Sequence, residues 1–326
     1  MPPSDVLDRL ARAALSAPTD RKRMLVIVNP HATTVSGRLR RLVVSALQGR
    51  YEVQATDTEA KGHAMQLARE AAGEGYDVVV AFGGDGTVNE AANGLARSGV
   101  PLVPLPGGST NVFCRMLGIP NDIVDATEHL LRLADRWAPR AVDLGRVAGR
   151  WFTFSAGMGL DAAVVARIDA RPELKARFGS WSFAVGGVAT FARHYVVRPP
   201  RLAVEVDGRA VLGGVSVFVQ TGAPFTYFRD RPVHVGEGIE LDSGSLGGGV
   251  LNRGRITDLP PVIFRALSRR ARVADARAVT PFAGARDVVS RSADGRPVPV
   301  QVDGDHIGDH VEAAFDVVPG ALTVVA

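Results

Sequence analysis

The sequence predicts an α/β domain with a doubly wound, mostly parallel sheet, followed by a C-terminal antiparallel β-sandwich. Three observations carry this. Short apolar runs alternate with helical patterns from Met24 to about Leu117. Beyond about Leu144 the texture changes to period-two segments separated by Asp-Gly pairs. At 326 residues the chain is long for one domain and suits two. The expected division is an extension over 1–21, an α/β domain over 22–144 and a β-rich domain over 145–326.

In the extension, Val6, Leu7, Leu10, Ala14 and Leu15 share one helical face beside Arg9 and Arg12. That is the pattern of a short helix packed on the body. MLVIV (24–28) is a strand, and Leu39, Leu42, Val43 and Leu47 space out a helix after it. YEVQAT (51–56) reads as a strand, HAMQLAREAA (63–72) as a helix and DVVVAF (77–82) as a buried strand. A helix follows from about Thr87, then VPLVPL (100–105), then a helix near Thr110–Leu117. In the second half, RLAVEVDGRAVLGGVSVFVQ (201–220) and SADGRPVPVQVDGDHIG (292–308) carry hairpin signals at their Asp-Gly pairs.

Hydrophobic residues at 46% and charged residues at 22% mark a globular chain able to bury a sizeable core. A net charge of +4 and a pI near 9.6 favour acidic partners: nucleic acid, anionic lipid headgroups or phosphorylated small molecules. Nucleic acid is disfavoured, because the arginines lack interleaved aromatics and no recognised binding module occurs. The lone Cys114 forms no intrachain disulfide, which fits a reducing cytoplasm. Two aspartates interrupt MPPSDVLDRL, so no signal peptide is expected, and no apolar run reaches the roughly 18 residues of a membrane span. WSFAVGGVATFA (181–192) comes nearest and stops at Arg193.

The stretch VVVAFGGDGTVNEAANGLARSG (78–99) joins a β-branched strand to a helix through Gly83-Gly84-Asp85-Gly86. Strand, glycine turn and helix aim backbone N–H groups where a phosphate sits. Glycines permit positive φ and close approach of a ligand. Gly-Lys-Ser/Thr and GxGxxG are both missing, which excludes a Walker loop and a dinucleotide fingerprint. Asp85 repels a bare phosphate, so it works through a magnesium ion, a bridging water, or hydrogen bonds that fix the loop. A second glycine loop, PLPGGSTNVFCRMLGIP (104–120), places Ser109 and Thr110 as N-cap candidates. Both loops follow parallel strands, at whose carboxyl ends ligands of open α/β sheets bind.

GGDGTVNE (83–90), NP (29–30), TEAKGHAMQLA (58–68), PGGSTNVF (106–113) and VDGD (302–305) together resemble the diacylglycerol kinase catalytic-domain family, over roughly residues 22–326. That family includes bacterial lipid kinases, sphingosine kinases and ceramide kinases. The resemblance implies ATP-dependent phosphorylation of a lipid hydroxyl, most simply diacylglycerol. It also implies a nucleotide-binding first domain, a lipid-substrate second domain with the nucleotide in the cleft between them, and a last strand returning to the first domain. Asn29 and Thr58 would lie near the nucleotide, with Gly83, Gly84, Asp85, Gly86, Thr87, Val88 and Asn89 around its phosphates and Thr110 touching them from the second loop. Asp85 and Asp143 match aspartates of a magnesium–water network. LDSGSLGG (241–248) corresponds to a further metal stretch, keeping Asp242, Gly244 and Leu246 but losing two acidic positions. Two further departures are Val112 where many members carry Asp, and NPHATTVSG where NPxSG is commoner.

Phosphoryl transfer to an alcohol benefits from a base that takes the hydroxyl proton. The resemblance puts it at VDGD, with Asp305 at the family's acidic position and Asp303 two residues before; by composition Asp207-Gly208 and Asp294-Gly295 are equally good turns and are read as ordinary hairpins. The Asp305/His306/Asp309/His310 cluster lacks a well-spaced ligand set, and Cys114 reads as a small core residue. Arg265, Arg269, Arg270, Arg272 and Arg277 form a basic segment suited either to solvent or to anionic lipid. The expected partner is a lipid at a membrane surface, met peripherally from the cytoplasm; a homodimer is left open. NAD kinases share a GGDGT loop and use ATP, and a non-catalytic nucleotide- or lipid-binding protein would also fit. The second loop and the hairpin-rich half fit lipid kinases better.

Overall fold

Four all-parallel strands with helices between them build the first of two units, formed by Met1–Val142 and Gly320–Ala326. The computed structural model describes residues 21–169, 199–228, 231–236, 238–253, 261–262, 264–265, 268 and 272–326. The helix expected in the extension, the stretch 181–192, Arg269 and Arg270 lie outside the described residues. In chain order the first unit runs β1 (Arg23–Val28), α1 (Gly37–Gln48), β2 (Glu52–Asp57), α2 (His63–Gly73) and β3 (Val78–Gly83). It continues with α3 (Asp85–Leu95), β4 (Leu102–Pro106), α4 (Val112–Met116) and α5 (Ile123–Leu133). Strand order is β2-β1-β3-β4. Every residue of β3 is buried, as expected of a central parallel strand covered on both faces. Ser36 caps α1 through a 3.2 Å bond from Leu39 N, and Asp122 caps α5 by accepting from Val124 N and Asp125 N.

The second unit, Asp143–Pro319, is an antiparallel sandwich. One sheet has the order β14-β13-β10-β7-β16-β17. Its strands are β7 (Ser155–Gly159), β10 (Ser216–Gln220), β13 (Leu246–Leu251), β14 (Val279–Ala285), β16 (Val298–Val302) and β17 (Asp305–His310). The other contains β5 (Arg140–Val147), β6 (Arg150–Phe152), β8 (Leu202–Val206), β9 (Arg209–Gly214), β15 (Asp287–Ser292) and β18 (Glu312–Val324). Between them lie Phe152, Met158, Val217, Val288, Val300, Val302 and Phe315. Each fully buried side chain of this cluster contributes about 1.5–3 kcal/mol. A helix α6 (Leu160–Asp169) follows β7, and a separate ribbon pairs β11 (Thr226–Phe228) with β12 (Arg231–Val233).

The chain leaves the first unit along β5 and comes back along β18. The first residues of β18 pair with β15, and its end pairs with β4 in parallel, Val324 opposite Leu102. Asp207-Gly208 and Asp303-Gly304 are two-residue hairpin turns with both residues at positive φ, +48° and +70° in the first, +48° and +81° in the second. Asp294-Gly295 is not a hairpin. It connects β15 to β16, which belong to different sheets, and Asp294 instead bonds Ser292 Oγ, Arg296 N and the Arg296 guanidinium. Among the described residues no helix is long and apolar enough to cross a membrane.

Candidate active site

Asn29, Thr58, the first glycine loop and the second all stand at the carboxyl ends of parallel strands β1, β2, β3 and β4. Asn29 N donates to Phe82 O and Thr58 N to Val28 O, so both residues are held at strand ends. Asn29 Nδ2 reaches Thr87 Oγ1 at 3.1 Å, bringing two of the expected nucleotide residues together. The long NPHATTVSG loop, which departs from the shorter family form, is tied to the second glycine loop by Thr34 N bonding Gly107 O.

The helix expected from Thr87 begins at Asp85, with Gly84 as N-cap and no side-chain cap. Val88 N bonds Gly84 O, so the N–H groups ahead of it are those a helix leaves to outside partners. Val88 and Asn89 face inward instead: each is 1% exposed, and Asn89 accepts from Asn93 Nδ2. None of Gly83, Gly84, Gly86, Gly107 and Gly108 takes positive φ. What they permit is loop against loop. A Cβ on Gly107 would stand 2.9 Å from Gly83 Cα, and one on Gly108 would stand 2.8 Å from Gly84 Cα.

Asp85 is where the two loops are joined. Its Oδ1 accepts from Val112 N at 2.7 Å, supplying from another loop the acceptor that caps α4. The N-cap of α4 is Asn111, in the left-handed conformation, rather than Ser109 or Thr110. Asn111 Oδ1 accepts from Gly108 N, and its Nδ2 donates to Gly108 O and Asn121 Oδ1; a short polar side chain that bonds its own loop tolerates that backbone. Val112, in place of the commoner Asp, is buried at 1% exposure, and it is the backbone N–H at this position that engages a carboxylate. Thr110 is half-buried between these fixed points.

In the second unit, Asp143 is buried, its N donating to Leu241 O and its Oδ2 accepting from Gly244 N at 2.6 Å. The LDSGSLGG stretch is therefore folded around Asp143, with Asp242 exposed and Leu246 buried at the start of β13. Asp303 is 5% exposed and accepts four bonds: Thr153 N and Oγ1 on Oδ2, Phe154 N and Ser155 N on Oδ1, between 2.7 and 3.0 Å. Burial pushes its carboxyl above the ordinary value, while these donors pull it down. Asp305 opens β17 and is half-buried.

The sequence matches the diacylglycerol kinase catalytic domain family over residues 23–147, the span holding both glycine loops, Asn29, Thr58 and Asp143. The chain is 32% identical over 209 residues to a diacylglycerol kinase of Bacillus subtilis, covering 61% of this chain and 65% of that protein. A Staphylococcus aureus diacylglycerol kinase matches at 32% over 204 residues, 61% of each. The chain thus matches less than two thirds of the length of these relatives. Over nearly the whole chain the fold is shared with a solved Bacillus anthracis structure, with a TM-score of 0.74, 24% identity and coverage of 94% and 98%. A second, of a diacylglycerol kinase from the same organism, gives 0.67 at 20% identity and the same coverage.

Against the diacylglycerol kinase pattern, no three of His, Cys, Asp and Glu gather as a metal-holding group among the described residues. A protein-only magnesium cage therefore does not fit the described residues. An ion carried by phosphates does, since magnesium in such sites takes one or two carboxylates and completes its shell with phosphate and water. His306 Nε2 instead pairs with Asp309 Oδ1 at 3.1 Å, and Cys114 is buried, its thiol pushed well up by burial.

Two elements of the site escaped the sequence reading. Glu90, inside GGDGTVNE, accepts Gly62 N and Ala64 N at 2.7 and 3.2 Å, tying the start of α2 to α3. Its presence in a helix opposite an uncapped glycine was the available signal. The group of Asp161, Gln301 and Ser216 carried none, because its members come from α6, β16 and β10.

Proposed function

We propose that this chain is an ATP-dependent lipid kinase that transfers the γ-phosphate to the hydroxyl of a diacylglycerol, giving phosphatidic acid. The observation that carries the reading is the joining of three strand-end loops, through Asp85 to Val112, Gly83 against Gly107 and Thr34 N to Gly107 O, around the uncapped start of α3. Backbone N–H groups so placed suit phosphate oxygens. Asn29, Thr58 and Thr110 flank them, and the packed glycines keep side chains away.

In this reading the lipid oxygen attacks the γ-phosphorus as the bond to the β–γ bridging oxygen breaks, and Asp305 takes the hydroxyl proton. Asp303 holds the turn, since both its oxygens already accept two bonds. Magnesium would neutralise charge on the phosphates, with Asp85 its candidate ligand in the first unit and Asp143, Asp242 and Leu246 the candidates in the second. The enzyme would meet its lipid peripherally, at the cytoplasmic membrane face. Phe264, 70% exposed beside Arg265, suits insertion between headgroups.

The test is labelled ATP with a panel of lipids in mixed micelles, NAD run in parallel, and identification of the product. Label in phosphatidic acid is expected. Label in NADP, or magnesium-dependent nucleotide binding without transfer to any lipid, would overturn the proposal.

A further inference from the structure

Gln301 sits on β16 at 3% exposure, opposite Gly157 of β7, where the β16–β17 ladder shifts register. Such an irregularity re-aims a side chain. Its amide bridges two groups. Nε2 donates to Asp161 Oδ2 at 3.0 Å, and Oε1 accepts from Gly304 N at 3.0 Å. Asp161, in the first turn of α6, also takes Ser216 Oγ on Oδ1 at 3.1 Å. Room for this carboxylate exists only because residue 157 is glycine: a Cβ there would fall 2.1 Å from Asp161 Oδ2.

The polarity of the bridge follows from the chemistry of its far end. An amide can face either way, offering a donor or an acceptor. A carboxylate accepts only, so Asp161 forces Nε2 toward itself and thereby turns Oε1 toward Gly304 N. That bond is a tether on the two-residue turn whose next residue is Asp305. We infer that Asp161, acting through Gln301, positions the Asp303–Gly304–Asp305 turn for proton transfer, which rests on the assignment of Asp305 as the base. Asp161 and Gln301 act here as positioning residues, through Gly304 N.

The magnitude is set by geometry. A misplacement near 1 Å costs on the order of 10²-fold in rate. Loss of the tether should therefore lower kcat about 10–100-fold and leave KM for ATP unchanged, because the nucleotide loops belong to the other unit.

Four variants test this, with kcat and KM measured per folded molecule. Gln301→Met removes both bonds at similar volume. Gln301→Glu keeps an acceptor for Gly304 N but sets a carboxylate against Asp161. The double variant Asp161→Asn with Gln301→Glu restores the bridge with its polarity reversed, Asn donating to Glu. Asp305→Asn reports on the base itself.

The expected result is a 10–100-fold fall in kcat for both Gln301 single variants. The double variant should recover to within about threefold of the native enzyme. A cluster that merely fills the core would lower the melting temperature of the singles with kcat per folded molecule unchanged, overturning the inference. Equal losses in Gln301→Glu and the double variant would also overturn it. If the charged variants do not fold, Gln301→Met decides alone. Full turnover by Asp305→Asn would overturn the assignment of the base and this inference with it. Loss in Asp305→Asn with native kcat in Gln301→Met would overturn only the latter.

Discussion

Replacing Asp303 by Asn separates holding the turn from taking the proton. The carboxylate accepts two bonds on each oxygen, and Asn keeps one accepting oxygen. The new NH2 would face either Thr153 N and Oγ1 or the N–H groups of Phe154 and Ser155, with donors opposed to donors at 5% exposure. Hydrogen bonds to a charged group contribute about 1.5–3 kcal/mol each, so losing two costs about 3–6 kcal/mol. That is a large part of a typical 5–15 kcal/mol stability. For a unit of this size each kcal/mol shifts Tm by about 2–4 °C, so a fall of about 6–24 °C is expected. Urea and thermal melts measure it, followed by kcat normalised to folded protein, which should fall much less than in Asp305→Asn. A destabilisation under about 1 kcal/mol would refute the clamp. A larger loss of kcat at 303 than at 305, with stability retained, would reverse the two roles.

Asp305→Asn keeps size and hydrogen bonding but removes basicity, so kcat should fall about 10²–10⁴-fold with ATP binding intact; small losses at both 303 and 305 would place the base elsewhere. Asp85→Ala should abolish transfer and free Val112 N, while Asp85→Asn can keep that bond and should still be inactive if the charge holds magnesium. Native turnover by Asp85→Asn would reduce Asp85 to a loop fastener. Burial raises the Asp161 carboxyl to about 6. The native state therefore keeps a proton between about pH 4 and 6 that the unfolded chain has lost, and stability is greatest below that window and falls as pH rises through it. A two-unit shift corresponds to about 3 kcal/mol, read as the stability difference from Asp161→Asn in urea melts across pH 4–7; a flat difference refutes it. Binding to anionic vesicles should weaken with added salt and in Phe264→Ser, checked by sedimentation; equal binding to neutral vesicles would remove the membrane role.

The β1–β4 alternation was legible within a residue or two, because continuous Val/Ile/Leu runs and helical spacing report burial locally. So were the Asp207-Gly208 and Asp303-Gly304 turns, since an Asp-Gly pair suits the positive φ that a short hairpin requires. Asp294-Gly295 misled, because the same dipeptide also suits a turn between sheets. The caps misled too. Ser109 and Thr110 have the right chemistry, but the acceptor for α4 arrives from Asp85, 27 residues away in sequence.

By itself, then, the sequence determined the class of fold, the two strand-end glycine loops and the short roll of aspartates from which a mechanism is drawn. Tertiary structure decided what each aspartate does. Asp303 and Asp305 look alike in a string of letters. One is enclosed by four donors from residues about 150 positions away, and the other opens a strand half in solvent. Asp161 had no signal at all until Gly157 made room for it and Gln301 reached it across 140 positions. Periodicity reads the burial of a segment, but the partner of a polar group is fixed only when distant strands pair.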